Sequence, residues 1–332
     1  MSLSAPSASA CKSIRIHRTI RLGIVGCGHI LRSIYSPILS NLGEQIRVTE
    51  LCDSRPPALA EAQKAFPDAG THRDLSCLLE TGRVDALMIL VSETAMASTA
   101  APALRAGHPI FLEKPPVVSE QELDALLEAE RNEPGTLYLA FNRRHTPLFQ
   151  SYENSRMEGL RVVQGKMSRR ERPIPGFPYT AIHLLDAVHH FSGQAFAEGE
   201  IIYGPEGHWR IHGNLSGGAE VKLEVVADGA EHCENIIFHH IDSHQELHFP
   251  NPESDCVSGR WVLARSGQPS ELRESSAEDP LENMGYAACL RNFLDTLSLP
   301  SLPPSRLEEI RPTIRLMEAM ASRRSRRFRF GV

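Results

Sequence analysis

Between residues 20 and 141, short apolar runs alternate with stretches in which apolar residues recur at helical spacing. Ile20–Val25 is a compact apolar run ending at Gly26-Cys27-Gly28, and a helical pattern with Ile30, Ile38 and Leu42 follows it. The pattern predicts further strands over Ile46–Cys52, Ala86–Val91, Pro109–Leu112 and Thr136–Phe141. It predicts helices over Pro57–Phe66, Leu75–Glu80 and Ala95–Ala106. Ser119 reads as the cap of one more helix, because Glu120 and Glu122 fall in its first turn. Strands alternating with helices imply parallel pairing through crossover helices. The near-continuous apolar run at residues 86–91 suits a strand covered on both faces.

After Pro147 the texture changes. Leu160–Lys166, Ile201–Tyr203, Trp209–Leu215, Val221–Val226, Ile236–Ile241 and Glu246–Phe249 are short and half polar. The stretches 214–218 and 241–244 have hairpin-turn composition. One helix is predicted near Ala181–Phe191 and two close the chain, at Met284–Leu297 and Ser305–Ser322. The expected fold is α/β: an N-terminal Rossmann-type doubly wound parallel sheet, then an α+β domain with a mainly antiparallel open sheet. The boundaries are a flexible extension over 1–19, a dinucleotide-binding domain over 20–145, and a substrate-binding and oligomerisation domain over 146–332. The C-terminal helix is expected to pack back on the first domain.

Composition narrows the field. The chain has 332 residues, 41% of them apolar and 23% charged, which is ordinary for a globular protein. Its 41 acids against 35 bases give a net charge of −6, so a general nucleic-acid partner is not expected. The 7 cysteines are odd in number, scattered and without a C-x-x-C pair, which suits reduced thiols and a cytoplasmic setting. No apolar run reaches the length of a membrane span. The first residues are Ser/Ala-rich and basic, a weak transit-peptide pattern that reads more simply as an extension.

The decisive local feature is Gly26-Cys27-Gly28-His29-Ile30-Leu31, leaving a strand and entering a helix. Gly26 permits a tight turn, Gly28 lets backbone N–H groups approach a pyrophosphate, and the helix N-terminus favours the anion. Leu31 replaces the third glycine of the G-x-G-x-x-G pattern. Asp53, at the end of the next strand, stands where a carboxylate would accept hydrogen bonds from an adenosine ribose. Read blandly, these are two glycines in a turn and an acidic cap. Asp53 favours NAD because it repels a 2′-phosphate, whereas the Ser54-Arg55 that follows would pair with one, as in NADP. The balance leans slightly to NAD.

Following this fold, Glu113-Lys114-Pro115-Pro116 makes the chain resemble the Gfo/Idh/MocA oxidoreductases, which include glucose–fructose oxidoreductase and inositol dehydrogenase. The resemblance also rests on the stretches 23–30, 103–116 and 182–186 with Gly193, and on Phe141-Asn142-Arg143-Arg144. It implies that Lys114 lies beside the nicotinamide and the substrate, with Glu113 in the cofactor site, and that His183 binds substrate or transfers a proton. Val91 and Ser92 would line the cofactor side, and Asn142 and Arg143 the substrate side. It further implies oligomers built through the open sheet. The residues agree for Lys114, which stands at a strand's carboxyl end, where ligands of such sheets bind.

Two departures stand out. The family commonly has an aspartate four residues before the histidine, and Tyr179 stands there; Tyr179 still offers a hydrogen bond or a proton. Glu93 brings a negative charge toward the nicotinamide side. On a helix, His183 and Asp186 share a face, so Asp186 is a candidate partner of the imidazole. Arg169, Arg170 and Arg172 would suit an anionic substrate if they face the cleft, although such a run more often lies in a solvated loop. His239, His240, His244 and His248 lack the companions a zinc site needs, and no metal is expected. The predicted function is NAD(P)-dependent hydride transfer to or from a sugar, polyol or other carbonyl compound. Lys114, His183, Tyr179 and Asp186 form the catalytic set. The alternatives are a non-catalytic dinucleotide sensor or scaffold, and a reductase of C=N or C=C bonds.

Overall fold

A computed structural model describes residues 19–131, 136–149, 152, 158–251, 258–275, 278–299 and 305–331. Nearly all of the expected extension lies outside these residues. The apolar runs of the first half form β1 (Ile20–Val25), β2 (Ile46–Cys52), β4 (Ala86–Ile89), β5 (Ile110–Leu112) and β6 (Leu137–Leu139), and a short polar strand that the apolar pattern does not mark, β3 (Gly70–His72), joins them. They pair in parallel in the order β3-β2-β1-β4-β5-β6. This is the Rossmann order, and the direction of winding reverses between β1 and β4.

The crossovers are α1 (Ser36–Asn41), α2 (Pro56–Ala65), α3 (Leu75–Glu80), α4 (Met96–Arg105) and α5 (Glu120–Arg131). A π-helical turn, Leu31–Tyr35, precedes α1. The wider coil gives the fully buried Leu31 room where a glycine would allow closer packing. Ser119 caps α5 as its composition predicts, its Oγ accepting the Glu122 N–H at 3.2 Å.

The second half forms β7 (Val162–Ser168), α6 (Phe177–Ser192), β8 (Phe196–Gly204), β9 (His208–Leu215), β10 (Glu220–Val226), β11 (Cys233–His239), β12 (Ser243–His248), β13 (Arg260–Arg265) and β14 (Glu271–Glu274). Then come α7 (Pro280–Asn283), α8 (Tyr286–Thr296), α9 (Arg311–Ala321) and β15 (Arg326–Arg329). The strands make a nine-stranded sheet in the order β14-β13-β12-β11-β7-β10-β9-β8-β15. Only β7 and β10, near its middle, run parallel. Both predicted hairpin turns join neighbouring antiparallel strands.

The helix expected over Met284–Leu297 forms as α8, starting two residues later than expected. Gly285 has φ +82, and a Cβ there would lie 2.2 Å from the Asn142 carbonyl oxygen, so the chain turns between α7 and α8. The helix that returns to the Rossmann sheet is α8. Its Leu290, Phe293 and Leu294 share a core with Leu31, Leu39 and Phe111. The later helix, α9, joins the core between α6 and the large sheet and also packs on α5 of the first domain, where Arg311 and Arg315 pair with Glu120.

Candidate active site

The cofactor side is built at the switch point. Gly26 has φ +97, and a Cβ on it would lie 2.6 Å from the Leu90 carbonyl oxygen, so only glycine fits between β1 and β4. A Cβ on Gly28 would meet only Arg55 Nη2, at 3.7 Å. The loop therefore presents open backbone to a cleft of 690 Å³. Gly26, Gly28, His29, Ile30, Asp53, Ser54, Arg55, Val91 and Ser92 line that cleft, as does Glu93. Cys27 is buried beneath it, its thiol pushed up to about 12 by burial and by the Asp53 charge.

Asp53 is fully engaged by the protein. Its Oδ2 accepts the Cys27 N–H at 2.9 Å and Arg55 Nη2 at 2.9 Å. Its Oδ1 accepts the Arg55 N–H at 2.9 Å and Arg55 Nε at 3.0 Å. Burial acts to raise the carboxyl's pKa, but these bonds outweigh it and hold the pKa below the usual range. The carboxylate thus fixes the phosphate loop and carries Arg55 over Gly28. Arg32, Ser54 and Arg55 line an adjoining cleft of 530 Å³.

Lys114 follows β5, at the same carboxyl edge. It is half-buried, and its peptide bond to Pro115 is cis. Its backbone N–H donates to Glu113 Oε2 at 2.7 Å, and the Tyr35 hydroxyl donates to Glu113 Oε1 at 2.7 Å. Burial lowers the ammonium pKa from 10.5, opposed by Glu113 and reinforced by Arg143. His183, 5% exposed, is pushed well below 6.5 by burial and then by Arg143, Lys114 and Arg169, so it is a neutral imidazole. Tyr179 is half-buried; its pKa is raised by burial and by Glu93, which keeps the phenol protonated.

Arg143 and Arg169, both buried, pair with the buried Glu234 of β11. Of the arginine run in the sequence, Arg169 is therefore interior, whereas Arg170 and Arg172 are exposed. Asn142 is buried, its Nδ2 donating to the Met284 carbonyl at 2.8 Å. Asp186 takes a different course from its assigned partner. It accepts Arg144 Nε at 2.9 Å and Arg144 Nη2 at 2.5 Å, and it belongs to the wall behind the site. Glu234 and Tyr286, both beside Arg143, carry no sequence signal because no motif contains them. Among the described residues, no three His, Cys, Asp or Glu side chains could hold a metal ion.

A sequence profile described as "Oxidoreductase family, NAD-binding Rossmann fold" matches residues 20–141, the stretch that builds this groove. Over that stretch the chain is similar to the Gfo/Idh/MocA oxidoreductases. Along nearly its whole length it is similar to YceM of Salmonella typhimurium, a putative oxidoreductase, 26% identical over 330 residues and covering 91% of this chain and 97% of YceM. An inositol 2-dehydrogenase of the same organism is 29% identical over 138 residues, 41% of each chain. The chain spans about half the length of the first curated relatives it matches, at 51% of each. A 3-ketoreductase from Actinomadura kijaniata, solved with NADP and TDP-benzene, superposes with a TM-score of 0.73 at 18% identity. That match covers 91% of this chain and 97% of the ketoreductase, and it is a likeness of fold.

Proposed function

We propose that this chain is an NAD(P)-dependent oxidoreductase acting on a carbonyl or hydroxyl carbon of a small organic substrate held beside Lys114 and His183. The observation that carries this reading is the half-buried ammonium of Lys114 on the same sheet edge as the Gly26–Gly28 loop. The open backbone at Gly28 and the left-handed Gly26 fit a dinucleotide diphosphate. Bound dinucleotide would supply or accept the hydride. Lys114 gives a proton to the substrate oxygen in reduction and takes one in oxidation, and its lowered pKa brings both forms nearer neutral pH. Neutral His183 holds the substrate by hydrogen bonding, and protonated Tyr179 is a second donor. Glu113 positions Lys114 through its backbone N–H. Asp186 acts at one remove, by holding Arg144.

The reading of the cofactor moves from NAD toward NADP. Asp53 has spent its acceptors on Cys27 and Arg55, and its side chain is 6% exposed, so little of it is open to a ribose hydroxyl. Arg55 is 64% exposed and shares the adjoining cleft with Arg32 and Ser54, a set suited to a 2′-phosphate. Calorimetry with NADPH and NADH tests this. NADPH should bind about tenfold more tightly, and Arg55→Ala should remove most of that margin. Lys114→Ala should keep cofactor affinity and lose roughly 10²–10⁴ in turnover. Failure to bind either dinucleotide would sink the reading.

Self-association through the open face of the nine-stranded sheet is part of the proposal, supported by the half-buried Ile237 and Val262 there. No described helix is long and apolar enough to cross a membrane. A cytoplasmic location remains the expectation drawn from the cysteines.

A further inference from the structure

The buried charges around His183 do not cancel locally. Glu234 Oε1 accepts Arg143 Nε at 3.2 Å, and its Oε2 accepts Arg143 Nη2 at 2.9 Å and Arg169 Nη2 at 2.5 Å. All three side chains are 5% exposed or less. Two guanidinium groups thus share one carboxylate, leaving one positive charge where water does not reach it. Glu113 and Glu93 stand on the Lys114 side. Glu113 also feels Arg143, but its hydrogen bonds go to Tyr35 and to the Lys114 N–H, and both acids oppose the Lys114 ammonium.

Two buried atoms of this cluster have no hydrogen-bond partner, Arg143 Nη1 and His183 Nδ1. The Tyr286 phenol lies beside Arg143 without meeting Nη1 at hydrogen-bond distance. Leaving a buried polar atom unmet costs stability, and in native proteins such atoms call for a functional account. The charged groups that act on His183 are Arg143, Lys114 and Arg169, all cations. An anion placed there would meet both atoms and balance the charge.

We propose that the substrate is a carboxylic acid, its carboxylate received by Arg143 Nη1 and His183 while its reacting carbonyl or hydroxyl faces Lys114. This rests on the oxidoreductase reading and narrows it to acids. A monoanion matches the one excess positive charge of the Arg143–Arg169–Glu234 cluster. A phosphate monoester, which carries nearly two charges at neutral pH, exceeds it.

The test is calorimetry of the protein saturated with NADP+, titrated with D-glucuronate, D-glucose and D-glucose 6-phosphate, which differ at one carbon. Lactate against 1,2-propanediol repeats the comparison on a smaller skeleton. In at least one pair the carboxylate should bind about tenfold more tightly than its neutral counterpart, and more tightly than the phosphate. Arg143→Met, which leaves Arg169 and Glu234 paired one to one, should erase the preference without changing dinucleotide affinity. Arg143→Lys keeps the charge and should retain part of it, even if the methionine variant does not fold. NADP+ binding with no carboxylate preference in either pair, or with the phosphate preferred, overturns this inference and leaves the oxidoreductase reading standing. Loss of dinucleotide binding would instead remove the reading beneath it.

Discussion

Glu234 receives one arginine from the end of the first half, Arg143, and one from the end of β7, Arg169. Burial would raise its pKa, but the two guanidinium groups prevail and lower it from 4.5 to about 2. A carboxyl with a depressed folded-state pKa lends stability that is fully present above about 4.5 and drains as pH falls through about 2. Glu234→Gln should therefore cost roughly 3–5 kcal/mol at pH 7, because it strands two buried cations. In urea melts the gap between wild type and variant should narrow steadily below pH 4.5; a gap that stays constant down to pH 2.5 would refute the assignment.

Single residues were legible where a motif demands a backbone shape or a strand-end position. Gly26, Gly28 and Lys114 are of that kind. Asp53 follows β2 as its spacing predicts, yet its bonds to Cys27 and Arg55 follow from a loop packing that no spacing reveals. Asp186 shows the limit of face arguments. Residues three apart on a helix are turned by roughly 60°, enough for Arg144 to claim one while His183 faces the arginine pair.

At the scale of elements, five of the six parallel strands were readable as mainly apolar runs, whereas β3 (Gly70–His72), short, polar and only partly buried, was not. Some antiparallel strands were readable by alternation, as in β11, where every second residue is buried, but β13 (Arg260–Arg265) and the exposed edge strand β14 (Glu271–Glu274) were not. The parallel pairing of β7 with β10 was not, since it depends on which strand lies next to which. The break before α8 was not either, because it reflects the close approach of Asn142. Element seating also depends on isolated polar bonds. Trp209 of β9 is fully buried and donates Nε1–H to the Met320 carbonyl of α9 at 3.1 Å. Trp209→Phe removes that donor while the Arg323 N–H still meets the carbonyl at 3.0 Å, so thermal melts should show a loss of about 0.5–1.5 kcal/mol. An unchanged melting temperature would mean that α9 is held by its apolar face alone.

At the scale of the whole molecule, the chain crosses between its halves more than once. After building eight of the nine strands of the larger sheet it returns as α8 to cover the Rossmann sheet, and only then adds β15. Phe293 contacts Phe111 of β5 and Tyr138 of β6, with ring centroids 5.5 and 5.6 Å apart. Phe293→Ala should cost about 3–5 kcal/mol, and cofactor affinity and the large sheet should weaken in the same unfolding transition. Two separate transitions, with only the first half affected, would show the halves to be independent. Sequence periodicity marked α8 as a helix but could not say which sheet it would serve, because its apolar stripe suits either.

The burial of Cys27 bears on how the protein can be probed. Cys27, Cys52 and Cys289 are enclosed, whereas Cys77 is exposed on α3. A maleimide should tag Cys77 promptly and reach Cys27 only during excursions that unseat the phosphate loop. Mass spectrometry of the tagged peptides would then time those excursions, and a dinucleotide in place should slow them.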